Sequence, residues 1–208
     1  MQQLPWVAIV AASHHTLGVD HQPDTPISVR RSLATGFWGE RLAVEELAQR
    51  GFIVEWTGGQ GADRDLTASR DRLVLSVSVK ATTKADGGIH WQKAGLSALE
   101  PWITRCRSEG SHPLMVLLHL DPAAMSVRYD EAGLRLGRPQ VLALTALTAP
   151  DWGRLVDDAR QSYAAKPYKK GAGKGLLRPP DGLRYPATAS DGRDLDEVIE
   201  GLASEASG

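Results

Sequence analysis

Residues 36–52, GFWGERLAVEELAQRGF, with GADRDLTA at 61–68 and LVLSVSVKATTK at 73–84, decide how this chain is read. At 3.6 residues per turn, Glu40, Ala43, Val44 and Leu47 fall on one face of a helix, while Arg41, Glu45, Glu46 and Gln49 point elsewhere. Glu40 therefore lies on the apolar side. A buried, unpaired carboxylate is costly, so Glu40 must be protonated, paired with a cation or bound to a metal. The plain alternative is a glutamate near a helix start, where negative charge is favourable.

Two extended stretches supply partners. Alternation in LVLSVSVK puts Leu73, Leu75, Val77 and Val79 on one face and Val74, Ser76, Ser78 and Lys80 on the other. The segment GADRDLTASR reads as a short strand with a turn, with Asp63 and Asp65 on the same side. Mg²⁺ prefers carboxylate and carbonyl oxygens and keeps several waters. A lysine beside it can orient water or neutralise charge developing on a phosphate. Singly, Asp65 reads as a turn residue and Lys80 as a solvated strand end; the ordered combination favours a site.

That order resembles the PD-(D/E)XK nuclease superfamily, the restriction-endonuclease-like fold. The resemblance rests on Gly39-Glu40 followed by Ala43 and Leu47, the glycine turn at Gly51, Asp65-Leu66, and Ser78-Val79-Lys80 closing a strand. It implies an α/β fold with a mixed central β-sheet flanked by helices. It also implies a metal-dependent phosphodiester hydrolase acting on DNA, with Mg²⁺ or Mn²⁺ as cofactor. Carried over by position, Glu40 and Asp65 ligate the metal with the Val79 carbonyl, and Lys80 stabilises charge or assists water. Ser78 departs from the pattern, which usually has an acidic residue or glutamine there. A neutral hydroxyl is a weaker ligand, so the alternative is a catalytically inactive subunit that keeps the scaffold and binds nucleic acid or protein, as in a defence or repair assembly. DNA is the expected partner before RNA. A homodimer or a place in a larger assembly is family expectation alone.

Composition agrees without deciding. A chain of 208 residues can bury a full core. With 24 basic and 25 acidic side chains the net charge is −1, so affinity for nucleic acid must come from local patches. The strongest candidate is YAAKPYKKGAGKGLLRPPDGLRYP, 163–186, where Lys166, Lys169, Lys170 and Lys174 stand among tyrosines that can stack on bases; a solvated linker is the equal alternative. GAGKG lacks the hydroxyl residue and the spacing of a Walker motif. Lys84, in the loop after the lysine strand, and Gln92, expected on the helix that follows, are further candidate nucleic-acid contacts. Acidic residues from Asp194 to Glu205 suggest a short helix that folds back on the basic segment.

The single cysteine, Cys106, rules out an intramolecular disulfide or a cysteine-based zinc site and reads as a small core hydrophobe. PWVAIVAAS near the start lacks the basic n-region of a signal peptide, and no apolar run has the length of a membrane span; a cytoplasmic protein is expected. His14, His15, Asp20 and His21 match no metal motif and are read as part of a solvated arm. The expected organisation is an arm over 1–32, a nuclease-like α/β domain over 33–165, and a basic then acidic extension over 166–208. Within the domain, HWQKAGLSALEPWITRCRSEG, with Pro101 interrupting its apolar spacing, is expected to form a helix or two helical pieces. HPLMVLLHL should be a buried strand and SVRYD a further strand. RPQVLALTALTAP is expected to be mixed or helical, and DWGRLVDDARQSYAA a helix with Asp151 as its N-cap.

Overall fold

The computed structural model describes residues 27–57, 64–123, 125, 127–130, 133–154, 157, 182–186 and 193–207. Helix α1 runs over Ile27–Gln49. It ends where Gly51 takes φ 81°, with Phe52 N–H bonded to Leu47 O at 3.2 Å and Gly51 N–H to Ala48 O at 3.0 Å. This double closure satisfies carbonyls that the last turn leaves unpaired, and glycine adopts the left-handed conformation it needs without a Cβ clash. The chain then enters β1, Ile53–Trp56, and returns through β2, Leu66–Arg70, and β3, Leu73–Thr82.

Next come β4, Gly88–Gln92; α2, Lys93–Ser108; and β5, His112–Leu120. The short strands β6, Val127–Asp130, and β7, Gly133–Leu136, form a hairpin. They are followed by β8, Val141–Thr148; β9, Gly182–Pro186; and the closing helix α3, Leu195–Ser207. The main sheet has the order β1-β2-β3-β5-β8. Its pairs are antiparallel except β3–β5, which runs parallel from Leu75↔His112 to Thr82↔His119. A parallel pair needs a crossover, and α2 lies within it. The expected mixed α/β architecture, a central sheet flanked by helices, is therefore the observed one.

Each face of the sheet buries its own core. Leu73, Leu75, Val77 and Val79 join Leu114, Val116, Leu118 and Leu120 beneath Trp38, Leu42, Ala43 and Leu47 of α1 and Leu195, Val198, Ile199 and Leu202 of α3. On the opposite face Met115, Leu117 and Leu147 pack with Leu99, Trp102 and Cys106 of α2. Ser76 faces this second layer and its hydroxyl accepts a hydrogen bond from Trp102 Nε1 at 3.2 Å. The alternation read from LVLSVSVK is realised as two cores separated by one strand. Each fully buried leucine or valine adds roughly 1.5–3 kcal/mol of transfer free energy, which fixes the register of β3, since a one-residue slip would exchange its faces.

Several expectations are corrected. RPQVLALTALTAP contains strand β8; its apolar and threonine residues fit either period, and the open edge of β5 selects the strand by offering a ladder of main-chain partners. His90, Trp91 and Gln92 belong to β4, which pairs with β9, so Gln92 closes a strand and precedes the helix expected to carry it. Of the two forms expected around Pro101, α2 takes the first, one helix with the proline inside it, tolerating the loss of one main-chain hydrogen bond because its apolar face is packed. Asp151 is not the N-cap of the helical residues 149–154 but their third residue, and its carboxylate reaches back to accept the Thr148 N–H at 2.9 Å. SVRYD and HPLMVLLHL form strands as expected. The acidic helix near the C terminus forms too, but its apolar stripe packs on the first core and its Asp196 pairs with Arg50 at 2.6 Å.

The segment with Lys166, Lys169, Lys170 and Lys174 lies outside the described residues, as do Asp63 and the histidines before α1. Among the described residues no helix is long and apolar enough to cross a membrane.

Candidate active site

The site begins with a glycine. A Cβ on Gly39 would stand 2.6 Å from the Ala81 Cβ, closer than side-chain carbons pack, so glycine is what lets α1 lie directly on the end of β3. The next residue, Glu40, is thereby held beside the strand that carries Ser78, Val79 and Lys80. Asp65 arrives from the other direction, at the entrance to β2, where its N–H bonds Val77 O at 2.9 Å and its carbonyl accepts Thr57 N–H at 3.1 Å. Main-chain bonds to β3 and to the residue that follows β1 thus fix Asp65, which itself lies outside the strands.

Asp65 Oδ2 accepts the Val79 N–H at 2.6 Å and the Ser78 hydroxyl at 3.3 Å, and Lys80 Nζ stands 3.7 Å away. The same ammonium donates to Ser78 Oγ at 3.1 Å and to the Val79 carbonyl at 3.0 Å. Glu40 is half-buried, and its Oε2 accepts the Trp56 indole N–H at 2.7 Å. Burial pushes the Glu40 carboxyl above its ordinary range, and the negative charge of Asp65 adds to the rise. The Trp56 hydrogen bond and the Lys80 charge oppose it, less strongly.

Glu40, Asp65, Ser78, Val79 and Lys80 are therefore gathered at one end of the central strand. Lys84 is exposed in the following turn, where its N–H bonds Thr82 Oγ1 at 3.2 Å. The sequence reading missed Trp56. Nothing local marks IVEW as more than a strand, and the contact with Glu40 exists only after α1 and β1 pack together. Phe37, one turn of α1 before Glu40, lies 6.1 Å from the Trp56 ring at an interplanar angle of 39°.

The chemistry of the donor set suits a hard divalent cation. Two carboxylates, a main-chain carbonyl and a hydroxyl are all oxygen donors, and the mutual repulsion of Glu40 and Asp65 is what such an ion relieves. Among the described residues no group of three or more histidine, cysteine, aspartate or glutamate side chains could hold an ion alone. Water would have to complete the shell of any ion held here, as Mg²⁺ ordinarily requires.

Fold and site together define an α/β protein with two carboxylates and a lysine clustered at the end of its central sheet. No family model matches the chain, and no curated protein matches it in sequence. Among solved structures it is similar to Hjc of Archaeoglobus fulgidus, a Holliday junction resolvase from an archaeal hyperthermophile. The two are 15% identical, the match covers 57% of this chain and 88% of the other, and the TM-score is 0.32. A likeness at that level assigns neither family nor reaction.

Proposed function

We propose that this protein is a nuclease of the PD-(D/E)XK type that hydrolyses phosphodiester bonds in DNA with Mg²⁺ or Mn²⁺. The observation that carries the reading is the meeting of Glu40, Asp65 and Lys80, which come from a helix, a strand entrance and a strand end. Burial raises the proton affinity of Glu40 and the nearby charge of Asp65 adds to it, and such perturbation concentrates at functional sites.

In this reading Glu40 and Asp65 would hold the cation, with the Val79 carbonyl as a further oxygen. When bound, the ion would supply Lewis acidity at a phosphoryl oxygen and a more acidic water. Lys80 contributes positive charge at the position where the phosphate gains negative charge, and its bonds to Ser78 and Val79 keep that charge in place. The Ser78 hydroxyl orients Asp65 and leaves the negative charge to the two carboxylates.

A second reading has its own support. Asp65 Oδ2 and the Val79 carbonyl are engaged by protein donors, and Ser78 brings no charge. A nucleic-acid-binding subunit without chemistry is compatible with both facts. The test is incubation of native chain and Asp65→Ala with single-stranded, duplex and branched DNA and with RNA, in Mg²⁺, in Mn²⁺ and in chelator. Metal-dependent products absent from the variant are expected. Binding that ignores chelator, with no products from either protein, would favour the second reading.

A further inference from the structure

Trp56 is the exception among the tryptophans whose burial is described. Trp38, Trp102 and Trp152 are 8%, 5% and 5% exposed, whereas Trp56 is 46% exposed although its indole N–H is committed to Glu40. It ends the edge strand β1, and its main chain pairs with Leu66, the residue after Asp65. A large aromatic face open to solvent is thus fastened to one candidate metal ligand and adjacent in the sheet to the other. Phe37 backs the indole from α1, so the ring is braced on one side.

We propose that Trp56 is the specificity-determining residue of the site: its exposed ring takes the face of a nucleobase that has left its stack, so the protein acts on nucleic acid with an unpaired nucleotide beside the bond to be cut. This rests on the nuclease reading above and adds the substrate class to it. A base inside a continuous duplex is covered on both faces and offers no surface to an indole, whereas an unpaired base does, and any base can stack on an aromatic ring. The hydrogen bond to Glu40 sets the register, because a ring fixed to the carboxylate places the stacked base next to the phosphate that Glu40, Asp65 and Lys80 surround. The same bond holds Glu40 in one orientation, so the residue that selects the nucleotide also positions a ligand.

The experiment compares the full native chain, Trp56→Phe and Trp56→Leu on three DNAs: a duplex, the same duplex with one unpaired nucleotide, and a single strand. Affinity and cleavage are read separately, and thermal melting checks that the variants fold. The native chain should prefer the two DNAs with unpaired bases. Trp56→Phe keeps a ring but loses the N–H to Glu40, so it should keep that preference in affinity while cleaving more slowly. Trp56→Leu should bind those two DNAs roughly ten-fold more weakly, as loss of one base stack implies, with duplex binding unchanged. A 2-aminopurine at the unpaired position should be quenched on binding the native chain, a readout that stands even if Trp56→Leu does not fold. Equal binding of all three DNAs by the native chain, unaltered preference in Trp56→Leu, or an unquenched 2-aminopurine overturns the proposal. Preference with quenching but no cleavage would remove the nuclease reading and leave Trp56 as the base platform. Cleavage indifferent to Trp56 would do the reverse.

Discussion

Glu40 carries an electrostatic conflict. It is half-buried, faces the charge of Asp65, and is relieved in part by the Trp56 N–H and by Lys80. Glutamine keeps the shape and can still accept the indole hydrogen bond, while removing the charge that the protein alone stabilises poorly. Glu40→Gln should therefore raise the melting temperature by roughly 1–3 °C, as a gain of up to about 1 kcal/mol does in a chain of this size, and abolish metal-dependent cleavage. A melting temperature lower than the native one would show that the carboxylate serves the fold. Lys80 invites a complementary change: it is partly exposed and its neighbours are polar, so Lys80→Ala should fold normally and lose activity at least a hundred-fold, the scale on which single electrostatic groups act.

At the scale of elements, the decisive contact is the crossing of α1 on β3. Gly39 admits the strand because it has no side chain, and a methyl group there would meet Ala81 at 2.6 Å. Both partners are backbone-anchored, so the helix must lift or tilt. Gly39→Ala should cost about 1–3 kcal/mol of stability, the range for overpacking a close contact. Because Glu40 follows directly, it should also weaken metal-dependent cleavage more than the stability loss explains. A variant as stable and as active as the native chain would mean that the close approach is not needed. The same crossing explains why Trp56 reaches Glu40 across 16 positions of sequence: β1 is short and lies at the sheet edge, where its last side chain is free to turn toward the helix.

For the whole molecule, the connection between the central sheet and the C-terminal helix is electrostatic as well as apolar. Asp151, 5% exposed, accepts Thr148 Oγ1 and Arg193 Nη2, each at 2.6 Å, and is also paired with Arg154. Arg193 in turn gives its carbonyl to Ala146 N–H at 3.0 Å, just before α3 begins. Burial alone would raise the Asp151 carboxyl, but the bonds from Thr148, Arg193 and Arg154 together bring it below its ordinary range. The unfolded chain therefore takes up this proton at a higher pH than the folded one. The stabilisation is complete above the unfolded value near pH 4 and is lost as pH falls through the lower folded value. Asp151→Asn should be less stable at neutral pH by about 1–3 kcal/mol, and its stability should fall less steeply than the native chain's below about pH 4. Parallel acid profiles for the two proteins would show that another carboxylate governs the acid limb.

What the sequence by itself determined is what repeats locally. The 3.6-residue spacing put Glu40 with Ala43 and Leu47, the two-residue alternation put Ser78 and Lys80 on one side of β3, and the unbroken apolar run of β5 announced a strand buried on both faces. A period is written in adjacent residues, so it survives without knowledge of the partner. The tertiary structure decided what depends on partners far along the chain. VLALTALT became a strand because β5 had an unfilled edge, GIHWQ became one because β9 lies beside it, and the acidic C-terminal helix became part of the core because Leu195, Val198, Ile199 and Leu202 found the open face of the sheet. Trp56 belongs to the same class: its type and place on β1 are visible in the sequence, but its exposure and its bond to Glu40 arise only when helix and sheet close on each other.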